Sequence, residues 1–107
     1  MAWVYLLLAG VLEVVWAFHM KKSDGFTHLL PSAVTLVCMV ASFAFLAASM
    51  RSLPLGTAYT IWTGIGAVGA FAVGSMMLGE PVTPMRLAAG LLIVAGIVLM
   101  KLSGSGG

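Results

Sequence analysis

Charge is what this sequence has least of. Only 7% of its 107 residues are charged and 62% are hydrophobic, whereas a soluble domain keeps roughly a quarter of its residues charged to hold its surface in water. That deficit excludes a soluble globular domain and makes the lipid bilayer the expected solvent. The net charge of +2 is too small and too scattered for the basic stripe of a nucleic-acid-binding face. A single cysteine, Cys38, excludes an intrachain disulfide and a thiolate metal site. In its apolar run it reads as a small hydrophobe. No metal cluster, cofactor motif or nucleophile–base pair is legible, so no cofactor is expected and an enzyme is disfavoured.

What the sequence has in quantity is long apolar runs. A helix crosses the hydrocarbon core in about 20 apolar residues, and residues 1–20, 29–50, 52–79 and 87–100 each offer such a run. The first lacks the basic leader and small-residue cleavage site of a signal peptide and carries Glu13, so it reads as a retained helix. Turn residues separate the runs at Ser23-Asp24-Gly25, Ser52-Leu53-Pro54 and Gly79-Glu80-Pro81. The expectation is an all-α integral membrane protein: one four-transmembrane-helix bundle over residues 1–103, with helices near 2–20, 29–50, 55–78 and 85–101. Connectors this short force an up-and-down order. Residues 104–107, Gly-Ser-Gly-Gly, read as a flexible tail.

Basic residues set the orientation of such a bundle. Arg51 and Lys101 would lie on one side of the membrane, and Lys21, Lys22 and Arg86 on the other. A bias of one residue is almost no instruction. Two outcomes stay open: insertion both ways, with a dimer of oppositely oriented copies, or one orientation fixed by the extra basic residue and the free amine.

Glu13 is the only acid inside an apolar run. A carboxylate at mid-membrane costs about 2.5–3.5 kcal/mol on insertion scales and marks function by default. Neutralisation by a resident Lys or Arg is disfavoured, because no basic residue lies inside a run. Ala9, Gly10, Trp16, Ala17 and Met20 share its helix face by i±3, i±4 and i+7 spacing, which makes a recess of small residues closed by an indole. Tyr59, Trp62, Thr63 and Gly66 repeat the same spacing on the third run. Trp3 and Tyr5 suit interfacial anchors, whereas Tyr59 and Trp62 lie deeper and suit a ligand wall. Gly64 and Gly66 allow either a bend or close helix packing. Ser42 is a hydroxyl at mid-membrane that either bonds its own backbone or orients a carboxylate. Gly90 and Gly96 give the fourth helix small-residue surfaces suited to dimerisation. His19 is about 240° round the helix from Glu13, so both it and His28 read as structural.

These residues resemble the small multidrug resistance family. The resemblance rests on residues 10–17 (Gly-Val-Leu-Glu-Val-Val-Trp-Ala), on the loop 21–27 (Lys-Lys-Ser-Asp-Gly-Phe-Thr), and on residues 53–66, which end in Trp62-Thr63-Gly64-Ile65-Gly66. Trp16 after Glu-Val-Val, the Trp-Thr-Gly-Ile-Gly string and Met85-Arg86-Leu87 are similar to the guanidinium-exporter subtype. His19 and Met20 depart from the family pattern, at the end of the first helix. The resemblance implies an antiparallel, dual-topology homodimer in the bacterial inner membrane that exports guanidinium, and small substituted guanidines such as guanylurea, in exchange for protons. It implies Glu13 as the carboxylate shared by proton and substrate, Gly10, Trp16, Tyr59 and Trp62 at the site, Ser42 hydrogen-bonded to Glu13, and a bend at Gly64 and Gly66.

The chemistry of the residue types agrees with that implication. Guanidinium is planar, weakly hydrated and matches a carboxylate bidentately, and desolvated aromatic faces add up to about 2 kcal/mol of cation–π attraction. Two Glu13 side chains in one cavity would titrate as a pair, and protons and cations would compete for them. Three rivals stand beside this reading. A proton-carrying proteolipid leaves Trp16 and Trp62 without a use. A membrane enzyme has no catalytic set. A polyspecific exporter of quaternary ammonium drugs needs a wider site than one crowded by Trp16.

Overall fold

A computed structural model of the chain describes residues 1–103; the expected tail at 104–107 lies outside them. Four helices run in order: α1 Ala2–Lys22, α2 Leu29–Ser49, α3 Leu55–Met77 and α4 Pro84–Ser103. All four are long and apolar enough to cross a membrane; at 1.5 Å per residue, even the 20 residues of α4 span about 30 Å. α1 and α4 each continue two residues past the expected end. Lys21 and Lys22 close α1, and Lys101 lies in the last turn of α4, where positive charge offsets the helix dipole.

Local chemistry sets each boundary. α1 stops at Ser23, whose hydroxyl donates to the Met20 carbonyl at 2.6 Å and accepts from the Phe26 N–H at 3.0 Å. The chain then turns through Asp24, Gly25 and Phe26, all at positive φ. Pro54 at φ −61° leads into α3. Gly79 at φ +68° follows α3, and both the Leu78 and Glu80 N–H groups donate to the Gly74 carbonyl. α4 opens on Pro84, which has no N–H to leave unpaired, while Thr83 accepts from the Arg86 N–H at 3.1 Å.

The bundle is a slab of 43 × 34 × 16 Å. α1 packs between α2 and α3, whereas the backbone of α4 approaches only α3. Leu6 and Ala9 of α1, Leu46 of α2, and Ala58, Ile61 and Trp62 of α3 form the core, with Leu53 folded in from the α2–α3 turn. α4 buries no residue. Two buried hydroxyls are satisfied within their own helix: Thr35 donates to the Pro31 carbonyl at 2.7 Å and Ser49 to the Leu46 carbonyl at 2.7 Å, as an apolar medium requires.

Candidate functional site

The site forms where α1 and α3 cross. Three glycines set that distance. A Cβ at Gly10 would lie 2.6 Å from Ile65 Cγ2, one at Gly66 would run into the Glu13 carboxyl group, and one at Gly69 would run into Val14. Gly66 therefore makes the space that the carboxylate occupies. α3 runs unbroken from Leu55 to Met77, and within it Gly64 and Gly66 serve close approach. A Cβ at Gly64 would lie 2.8 Å from Ile97 Cδ1 of α4.

Glu13 is half-buried. Its Oε1 and the indole Nε1 of Trp16 are both shielded and have no hydrogen-bond partner among the described residues. They lie one turn apart on α1, an acceptor and a donor both left open. Each shielded, unpaired group costs about 1–3 kcal/mol. The fold tolerates that cost at two neighbouring positions on the face already singled out by spacing.

Ser42 corrects one implication of the resemblance: it is not hydrogen-bonded to Glu13. Fully buried, it donates to the Ala9 carbonyl at 2.6 Å and accepts from Trp62 Nε1 at 3.1 Å. A hydroxyl has one proton, and Ala9 takes it. In an α-helix the Ala9 carbonyl is also the partner of the Glu13 N–H. Ser42 thus ties α2 and α3 to the backbone turn that carries Glu13, and positions it without touching its carboxylate.

Aromatic rings extend from this junction. Tyr59 lies 5.7 Å from Trp62 between centroids, Trp62 lies 5.8 Å from Phe43, and Phe43 meets Trp16 edge-on at 6.4 Å. Phe43 is the residue that sequence reasoning missed. Its only signal was adjacency to Ser42, in a run of apolar residues that all look alike. The third-helix face also divides. Trp62 is buried in the core, whereas Tyr59 and Thr63 open into a 590 Å³ groove between α3 and α4, lined also by Gly64, Ile93 and Gly96. A Cβ at Gly96 would meet nothing within 4 Å, and one at Gly90 only the Phe71 ring at 3.9 Å. These two glycines leave open surface.

The His19 ring donates from Nδ1 to the Val15 carbonyl at 2.9 Å, which holds it to its own helix. Among the described residues no three His, Cys, Asp or Glu side chains gather closely enough to hold a metal ion.

Residues 1–95 match the family described as Small Multidrug Resistance protein. A protein of Escherichia coli strain K12 named guanidinium exporter is 55% identical over 103 residues, which covers 96% of this chain and 98% of that protein. Proteins of the same name from Citrobacter freundii and Klebsiella oxytoca align with the same identity and coverage. With its four membrane-length helices and the Glu13 recess between α1 and α3, the chain belongs to the small multidrug resistance family.

Proposed function

We propose that this chain exports guanidinium ions across the bacterial inner membrane in exchange for protons, with Glu13 as the carboxylate both compete for. The observation that carries the reading is the shielded, unpartnered carboxylate oxygen of Glu13. A carboxylate oxygen with no resident donor is where the N–H edge of guanidinium fits. The full-length likeness to proteins named guanidinium exporter supports the same cargo.

The roles follow from the geometry. Glu13 takes either a proton or the cation. Trp16 and Trp62, bridged by Phe43, offer ring faces and edges that suit a flat, weakly hydrated ion. Tyr59 extends the wall toward the α3–α4 groove. The slab is too thin to enclose a cation by itself, so we assign the uncovered face, with Gly90 and Gly96, to an oppositely oriented second copy. Two copies with exchanged roles would supply alternating access, and a bend of α3 at Gly64 and Gly66 would move Tyr59 and Trp62 relative to Glu13.

Liposomes holding the purified protein under a pH gradient test this. Guanidinium uptake should follow the gradient and disappear in Glu13→Gln, with the dimer intact on cross-linking. Exchange that survives Glu13→Gln overturns the role of Glu13. Protein in detergent should release protons on adding guanidinium and none on adding a large quaternary ammonium. The reverse pattern would make the protein a polyspecific drug exporter.

A further inference from the structure

The two flanks of the α3–α4 contact differ. One carries the Tyr59 and Thr63 groove assigned above to a second copy. The other carries a separate groove of 260 Å³ bounded by Trp3 and Leu7 of α1, Ile61 and Ile65 of α3, and Val98 and Lys101 of α4. Ile97 alone lines both, so it forms the ridge between them. The walls of the second groove are apolar except at one end. There the Lys101 ammonium stands 5.1 Å from the centre of the Trp3 ring, one cation at the mouth of an acyl-sized slot.

The position of that cation decides what fits. Up-and-down order places the start of α1, the α2–α3 turn and the end of α4 at one end of the bundle. The Met1 amine, Arg51 and Lys101 lie there, while Asp24 and Glu80 stand in the loops at the opposite end and Glu13 lies mid-helix. No acidic side chain of the same chain lies at that end. Lysine at a helix end carries its ammonium to the headgroup level while its stem lies along apolar surface, and indole prefers the same depth. A second apolar groove near the other end of α4, lined by Val68, Ala72, Val82 and Leu91, holds no charged residue. A neighbouring groove, lined by Ala67, Phe71, Ala89 and Ile93, does carry a cation, Arg86, but no indole.

We propose that this groove is a binding site for an anionic phospholipid. One acyl chain lies along Leu7, Ile61 and Val98, and the headgroup phosphate pairs with Lys101 beside Trp3. Basic pockets between membrane helices bind acidic headgroups in this way. The site is independent of Glu13 and of the transported ion.

Tryptophan quenching in vesicles tests it. The full chain is reconstituted into phosphatidylcholine with a fraction of phosphatidylglycerol, and one lipid or the other carries brominated chains. Brominated phosphatidylglycerol should quench about fivefold more strongly per mole than brominated phosphatidylcholine, the factor expected for one lysine at the surface. The difference should vanish in Trp3→Phe, which removes the reporter, and in Lys101→Gln, which removes the cation. Val98→Phe, which narrows the slot, should lower quenching by both lipids. Lys21→Gln at the opposite end, and added inorganic phosphate, should change nothing. Equal quenching by the two lipids in the unaltered protein overturns the proposal, as does a preference that survives Lys101→Gln or Trp3→Phe. Unchanged quenching in Val98→Phe removes the acyl seat. Loss of the preference in Lys21→Gln would assign it to bulk surface charge, and loss with phosphate would assign it to a free anion; either result defeats the lipid site.

Discussion

Three central glycines of α3 and the two glycines of α4 do opposite things. Along α3, Gly64, Gly66 and Gly69 are each filled from the neighbouring helix: by Ile97, by the Glu13 carboxyl group and by Val14. Along α4, Gly96 faces open space and Gly90 barely touches Phe71. The same residue type marks a finished contact in one helix and an unfinished one in the other. The first three helices hold the site together; the fourth presents a surface.

Substitution can break that contrast. Gly66→Ala puts a methyl group where the Glu13 carboxyl group lies, at an overpacking cost of about 1–3 kcal/mol. It should all but abolish guanidinium flux in liposomes. Wild-type flux would mean that α1 slides freely over α3. Ser42→Ala removes the donor to Ala9 and strands the Trp62 indole N–H, for about 1–3 kcal/mol. Its midpoint in detergent unfolding should fall, and Trp62→Phe on top of Ser42→Ala should recover part of the loss because no stranded donor remains. Phe43→Ala removes the ring between Trp16 and Trp62, with edge contacts worth about 0.5–1.5 kcal/mol. Calorimetry should show guanidinium bound about three- to tenfold more weakly, with helix content unchanged. Gly96→Ala should have the smallest effect: unfolding within about 0.5 kcal/mol of the parent, as for surface changes generally, with any loss confined to dimer association. The pH dependence cuts across all of these. If one proton leaves as one cation binds, apparent affinity should fall by up to about tenfold per pH unit on the acid side, by linkage, and Glu13→Gln should flatten that slope.

The helices were legible because lipid tolerates few charges, so every long uncharged run had one reading. Glu13, Trp16 and Trp62 stood out as polar or bulky groups where Leu or Val would have sufficed. Phe43 did not, because in a chain this apolar a phenylalanine carries no contrast. The partner of Ser42 was hidden for another reason. Periodicity places a hydroxyl on a face but cannot say which acceptor across the interface is nearer, and the Ala9 carbonyl lies within reach. The last two residues of α1, Lys21 and Lys22, were missed because charged residues read as loop, although lysine at a helix C-terminus is favoured.

The slab is 16 Å thick, little more than one helix with its side chains. In the antiparallel pair proposed above, two copies of the chain would share the burden of hiding a cation held at Glu13. Such an arrangement has a genetic signature. A Glu13→Gln allele expressed beside the normal one would act as a poison subunit, since each mixed pair would lose one of its carboxylates. Tolerance to guanidine would then fall further than simple dilution of the normal product explains, and the mutation would behave as dominant.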